Sequence, residues 1–278
     1  MNIYQLTSEF TSKGVPIIVI SAIDKQGEGP VEVGKKLLVT IANEAFGTVG
    51  GGALEYHARE YCKELFQAKK SVTRTYLLHE GKVIDDATTL PMACGGKVTL
   101  FFEYIGPSEY IYIFGAGHVG QALTNVLMTM NFHITVIDER PEVIAQFKGG
   151  HDVVLSPFAE YIKTNGLVEG SFVIVCTPSH KYDYNVIHQV IEQGINVKYI
   201  GMLCSLPKLK DYLDKTYATF GKDIDLTNFY SPIGLDIGGG SPEEIAISIA
   251  SEILAVSHGK TGHKHMRELM TNDSYRYW

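Results

Sequence analysis

Residues 110–120 read Tyr110-Ile111-Tyr112-Ile113-Phe114-Gly115-Ala116-Gly117-His118-Val119-Gly120. The first five are a nearly continuous apolar run, as a strand needs when helices cover both faces of its parallel sheet. Three glycines then follow at the GxGxxG spacing. In such a turn the first glycine lets the chain reverse tightly, the second lets a phosphate approach the backbone, and the third lets the helix pack against its strand. The helix N-terminus that follows aims unpaired N–H groups at an anion. The spacing alone is a weak signal. Here a strand precedes it, a helix follows, and Asp138 ends the next strand candidate about 20 residues on, as the dinucleotide-binding fingerprint requires. Gly115, Gly117 and Gly120 are thus candidate phosphate contacts, and Asp138 a candidate acceptor for ribose hydroxyls. The alternative is an ordinary strand–helix turn without a ligand.

Working outward, strand patterns recur at 134–137, 152–155, 172–176 and 196–200, with helical segments between most of them. That alternation predicts a Rossmann-like doubly wound parallel sheet over residues 110–278. Its last helix starts at Ser241-Pro242-Glu243-Glu244, with a hydroxyl cap, proline at the first helical position and a glutamate placed to bond back. Upstream, the patterns predict a helix over 2–13, strands from Val15 and from Lys35, and a helix from about Ala53 to Ala68. Two more strands follow, 71–78 and 97–104. In the second helix Leu54, Ala58, Cys62 and Leu65 recur at helical spacing and predict a buried face. Residues 1–105 therefore read as a small α+β domain, with Gly106-Pro107-Ser108 as the linker.

Several residues near the expected sheet edge are further candidates. His118 lies inside the glycine turn, either against a cofactor or bonded to backbone. Arg140, two residues past Asp138, either reaches a phosphate or stands in solvent. Thr177-Pro178-Ser179-His180 follows a strand at the edge where ligands bind in such sheets, so His180 is a candidate, with Asp183 to orient its ring. Gly238-Gly239-Gly240 precedes a helix start and is either a ligand approach or a flexible turn. Cys94, followed by Gly95 and Gly96, has little around it in sequence to shield a thiol.

Composition narrows the classes. A net charge of −7 over 278 residues argues against a nucleic-acid binder, which needs clustered cations to meet phosphates. The longest early apolar stretch, Val15 to Ile23, is too short to span a bilayer, and no signal-peptide pattern opens the chain, so a cytoplasmic protein without membrane attachment is expected. The four cysteines form no CxxC pair, which suits reduced thiols.

Taken together, these segments resemble the XdhC/CoxI family, xanthine dehydrogenase accessory proteins. The resemblance covers most of the chain. It rests on residues 114–120, on Val136-Ile137-Asp138-Glu139-Arg140-Pro141, on Tyr199-Ile200-Gly201-Met202-Leu203, and on 231–238 and 241–246. In the first domain it rests on Gly47-Thr48-Val49-Gly50-Gly51-Gly52 with Glu55, and on Cys94-Gly95-Gly96. The resemblance implies a chaperone that binds the molybdenum cofactor (molybdopterin), assists exchange of its oxo ligand for sulfur, and delivers it to a molybdenum hydroxylase apoenzyme. It implies Gly50, Gly51, Gly52 and Glu55 as cofactor contacts beside the Rossmann residues, and Cys94 as the working thiol, able to hold metal or sulfur because thiolates are soft ligands. A cysteine desulfurase is the partner that would bring sulfur, and a homo-oligomer is expected. The chain departs from the family pattern at Glu28-Gly29-Pro30-Val31, where an arginine is missing, and at Ala53, often a cysteine. It departs again at Cys204-Ser205-Leu206-Pro207-Lys208, where two basic residues are replaced. The rival from another class is an NAD(P)-dependent oxidoreductase using the same turn, with Asp138 favouring NAD.

Overall fold

The computed structural model describes residues 2–28, 31–79, 87–91 and 96–261. The chain divides into two compact units, residues 1–108 and 109–278.

In the first unit, α1 (Ile3–Ser12) and α2 (Gly52–Ala68) accompany β1 (Ile17–Gly27), β2 (Lys36–Thr40), β3 (Ala45–Gly47), β4 (Val72–Leu78), β5 (Thr88–Leu90) and β6 (Gly96–Ile105). The sheet order is β3-β2-β1-β6-β4-β5. Only the β4–β5 pair is parallel. Side chains alternate across a strand, so β1 splits its residues between two cores. Ile18 and Ile20 pack with Leu54, Ala58, Cys62 and Leu65 of α2. Ile17 and Val19 join Leu6 of α1. The helical face predicted from sequence is the one that is buried.

The second unit is a six-stranded sheet, parallel throughout. Its strands are β7 (Glu109–Phe114), β8 (Phe132–Asp138), β9 (Asp152–Leu155), β10 (Phe172–Val175), β11 (Tyr199–Met202) and β12 (Phe229–Tyr230), in the order β12-β11-β10-β7-β8-β9. Ile111 and Ile113 face α3 (His118–Leu127) and α8 (Pro242–Ser257). Tyr112 and Phe114 face α5 (Phe158–Asn165), α6 (His180–Glu192) and α7 (Leu206–Phe220). A four-residue helix, α4 (Pro141–Ile144), lies between β8 and β9. Strand β7 has β8 on one side and β10 on the other, so strand order reverses there. In open α/β sheets, ligands bind outside the carboxyl ends of the strands at that point.

Two local readings change. The strand expected at 196–200 is Tyr199–Met202. Residues 196–198 instead tie down a loop, with the Asn196 carbonyl accepting the Gly170 N–H (2.8 Å) and the Lys198 N–H donating to the Ser171 carbonyl (2.9 Å). Strands β3, β5 and β12, of two or three residues, carry no periodicity a sequence could display. The capping box of α8 forms as read, with Ser241 and Glu244 bonded reciprocally.

Candidate functional site

The three glycines of the turn do different work. Gly115 has φ +119°, and a Cβ there would lie 2.3 Å from the Cys176 carbonyl oxygen at the end of β10. At Gly120 a Cβ would lie 2.0 Å from the Gly115 oxygen, so α3 reaches the turn only because this residue has no side chain. Gly117 is the opposite case. It caps α3 at φ −71° and ψ −167°, and an added Cβ meets nothing within 4 Å. The first N–H groups of a helix have no intrahelical partner. In α3 no side chain caps them and no acid stands in the first turn. His118 is the first residue of α3 and is exposed. The buried, backbone-bonded alternative for its ring does not occur.

Asp138 is fully buried. Its Oδ2 accepts the Ala116 N–H (2.8 Å) and the Arg140 Nη2 (2.7 Å). Its Oδ1 accepts the Arg140 backbone N–H (3.0 Å) and Nε (2.9 Å). A carboxylate offers about four lone-pair positions, and all are taken. Burial pushes this carboxyl's pKa up, but the bonds from Arg140 and Ala116 outweigh it and hold the group below its usual range. The ribose acceptor expected here is therefore an internal clip between β8 and the glycine turn. Arg140, expected on a phosphate or in solvent, is folded back onto Asp138 and about one-third exposed (32%).

At the end of β10, His180 is the first residue of α6 and exposed. The expected pairing with Asp183 does not occur. The buried Asp183 carboxylate accepts the Thr177 N–H (3.1 Å) and hydroxyl (2.6 Å), so it fixes the loop rather than the imidazole. Burial raises its pKa, and the Thr177 bonds oppose that. Next to it, α7 begins without a side-chain cap bond or an acid in its first turn, and with Lys208 in that turn. Cys204 Sγ lies 3.0 Å from Ser231 Oγ. The Cys176 thiol donates to the Gly115 carbonyl (3.4 Å), and burial pushes its pKa up to about 12.

Two other glycine stretches are closed by the chain itself. In the first unit Glu55 accepts the N–H groups of Val49 (2.9 Å) and Gly51 (2.8 Å) and the Thr48 hydroxyl. Burial raises the Glu55 pKa, but these bonds bring it below the usual range. The N–H groups of Val49 and Gly51 therefore point at Glu55, and a Cβ on Gly50 would meet Val31 Cγ2 at 2.7 Å. Gly51 has open space beside it, and Gly52 begins α2 with φ +60°. Before α8, Glu244 accepts the Gly240 (2.9 Å) and Ser241 (3.0 Å) N–H groups. Cys94 lies outside the described residues. Among the described residues, no group of three or more His, Cys, Asp or Glu is placed to hold a metal ion, and no helix is long and apolar enough to cross a membrane.

Sequence reasoning placed the turn but missed which acids seal which loops. The signal was available: Glu55 and Asp183 each stand four residues past the cap of their helix, within reach of the loop before it.

The sheet order and the glycine turn define a Rossmann-type domain. Residues 111–253 match the model of the XdhC Rossmann domain, and residues 11–77 that of the XdhC and CoxI family. The chain belongs to the XdhC and CoxI family. It is similar to YqeB of Escherichia coli K12, 25% identical over 270 residues, 96% of this chain and 48% of that protein. It is also similar to a probable xanthine dehydrogenase subunit of Bacillus subtilis 168, 30% identical over 161 residues, 56% of this chain and 45% of that protein. The chain thus spans about half the length of these curated relatives. A crystal structure described as a xanthine dehydrogenase of Bacillus halodurans aligns over 97% of this chain and 100% of that one, at 18% identity and a TM-score of 0.49.

Proposed function

We propose that this chain binds the molybdenum cofactor and delivers it to a xanthine dehydrogenase-type apoenzyme, as a maturation chaperone rather than a turnover enzyme. Family membership and the similarity to a probable xanthine dehydrogenase subunit support the link to that hydroxylase. The observation that carries the reading is the open start of α3, where Gly117 leaves free space in front of uncapped N–H groups. That cradle fits the phosphate a molybdopterin carries. The backbone at the start of α3 fits the phosphate, and the described residues offer no cluster of three or more His, Cys, Asp or Glu for the metal. In this reading Cys94 is the soft ligand for the metal or the incoming sulfur, and a cysteine desulfurase supplies that sulfur. When bound, the cofactor supplies the molybdenum centre whose oxo ligand is exchanged. The chain's own part is to hold the phosphate at α3 and to present the cofactor to its acceptor, in the cytoplasm and as a homo-oligomer.

The NAD(P)-dependent oxidoreductase reading loses its ribose acceptor, since Asp138 is sealed, and the Asp183 carboxylate bonds Thr177 rather than His180. Native mass spectrometry and elemental analysis of protein purified from a molybdenum-replete host test the proposal. Bound pterin with molybdenum is expected. Nicotinamide, an adenylate, or an empty protein from such a host rejects it.

A further inference from the structure

The two halves of the crevice at the switch point are unlike. On the β8 side the acceptor that a dinucleotide's ribose would use is filled by the protein's own donors, two from the Arg140 guanidinium and one each from the Arg140 and Ala116 backbones. Because Arg140 Nη2 and the Ala116 nitrogen share one carboxylate oxygen, the guanidinium sits beside the glycine turn itself. Two more acids, Glu139 and Glu142, act on Arg140 from either side in sequence. That side is closed to a sugar diol. On the β10–β11 side the groups are of the other kind. His180 is exposed at the start of α6, and α7 opens uncapped with exposed Lys208 in its first turn. The positive end of a helix dipole and a lysine both favour an anion.

We infer that Arg140 is a specificity-determining residue that shuts the ribose half of the crevice, so that the site takes a ligand anchored by one phosphate and rejects dinucleotides. This rests on the reading of α3 as a phosphate cradle. Applied to the cofactor, it selects the form that ends in a phosphate monoester over the form extended by a nucleotide. A dinucleotide seated with its pyrophosphate on α3 would bring an unmodified ribose to Asp138, where no acceptor is left. A carboxylate with two ligating donors removed regains that capacity, so the exclusion is reversible by one substitution.

The probes are inorganic phosphate and NAD+, titrated against the full chain while backbone amide signals are followed. With the natural sequence, phosphate is expected to shift the amides of Gly117, His118 and Val119. NAD+ is expected to bind no more than about threefold tighter than phosphate, because its adenosine half gains nothing. Arg140→Ala is expected to tighten NAD+ at least tenfold and leave phosphate unchanged. NAD+ binding more than about threefold tighter than phosphate in the natural protein overturns the inference. So does a folded Arg140→Ala variant that gains nothing. If that variant does not fold, the comparison in the natural protein decides alone. The outcome that instead removes the cradle, and with it the proposed function, is different: phosphate that leaves the α3 amides unmoved.

Discussion

Replacing Gly117 and Gly120 separately divides the glycine turn into its binding and packing parts. Gly117→Val adds a side chain where the structure has open space and extended geometry that any residue adopts. Losing glycine at a helix cap costs about 1 kcal/mol. Restricting the unfolded chain returns roughly 0.4–1 kcal/mol. The melting temperature should therefore stay within about 3 °C of the natural protein. The new methyl groups stand in front of the N–H groups of α3, so a phosphate held there should weaken at least tenfold, about 1.4 kcal/mol. Gly120→Ala should behave the other way. Its Cβ would lie 2.0 Å from a backbone oxygen that cannot swing aside. Overpacking of this kind costs about 1–3 kcal/mol, which lowers the melting temperature by roughly 3–10 °C. The assay pairs a thermal melt with calorimetric titration of inorganic phosphate and with pterin content after purification. A Gly117→Val protein that melts normally and binds normally would show that phosphate is held elsewhere. One that melts as low as Gly120→Ala would show that the space is not open.

Asp138→Ala leaves Arg140 without its partner and should cost on the order of 3 kcal/mol at pH 7. The folded carboxyl titrates below its unfolded value of about 3.9, so its contribution is complete above that pH and disappears as pH falls towards the folded value. Urea melts at pH 7 and pH 3 should show the gap between the natural protein and the variant narrowing in acid, and a gap independent of pH rejects the clip. Glu55→Gln should cost about 1 kcal/mol, since the group is partly exposed, and should speed hydrogen exchange at Val49 and Gly51 without lowering pterin content. A folded variant with reduced pterin would place the first-unit loop in the site. Cys94→Ser should fold normally and fail to activate the partner hydroxylase, whereas normal activation would remove that thiol from the mechanism. Burial pushes the Cys176 thiol well above its usual pKa and keeps it protonated, so iodoacetamide should label Cys94 well before Cys176.

The fold was legible wherever burial imposes a period. Tyr110–Phe114 alternates between two cores, and each half of that alternation meets helices whose apolar faces could be read from spacing. Strand β12 was not legible, because Phe229 and Tyr230 are placed by the sheet's edge and not by any pattern of their own. The candidate site was legible as a position and not as a set of bonds. Asp138 fits a fingerprint, but the fingerprint is silent about an arginine two residues on that folds back to fill the carboxylate. Asp183 was read as the residue that orients His180, and its bonds go to Thr177 instead. A sequence places it near both His180 and Thr177, and only the geometry of the cap decides between them.

The same geometry separates the start of α3 from three other glycine or hydroxyl helix starts. The N–H groups at a helix start attract an anion, and a carboxylate three or four residues past the cap is the nearest one available. Glu55 accepts the Gly51 N–H, Glu244 accepts the Ser241 N–H, and Asp183 closes the loop before α6 through Thr177. At α3 the corresponding residue is Gln121, and it is turned away. Its Nε2 donates to the Lys148 carbonyl (2.7 Å), and its Oε1 accepts the Lys148 N–H (2.9 Å). The cradle stays open because this residue carries no charge and is held elsewhere. Gln121→Glu tests that directly. The substituted carboxylate cannot donate to Lys148, so it is expected to swing onto the start of α3 and occupy the place of the phosphate. Stability should change by no more than about 2 kcal/mol, two hydrogen bonds lost and a helix-start charge gained. Phosphate affinity and pterin content should fall at least tenfold. Gln121→Met breaks the same Lys148 bonds without adding charge, so it should lose stability and keep its ligand. If both variants bind phosphate as the natural protein does, charge at this position is irrelevant, and the open start of α3 is a packing feature rather than a site.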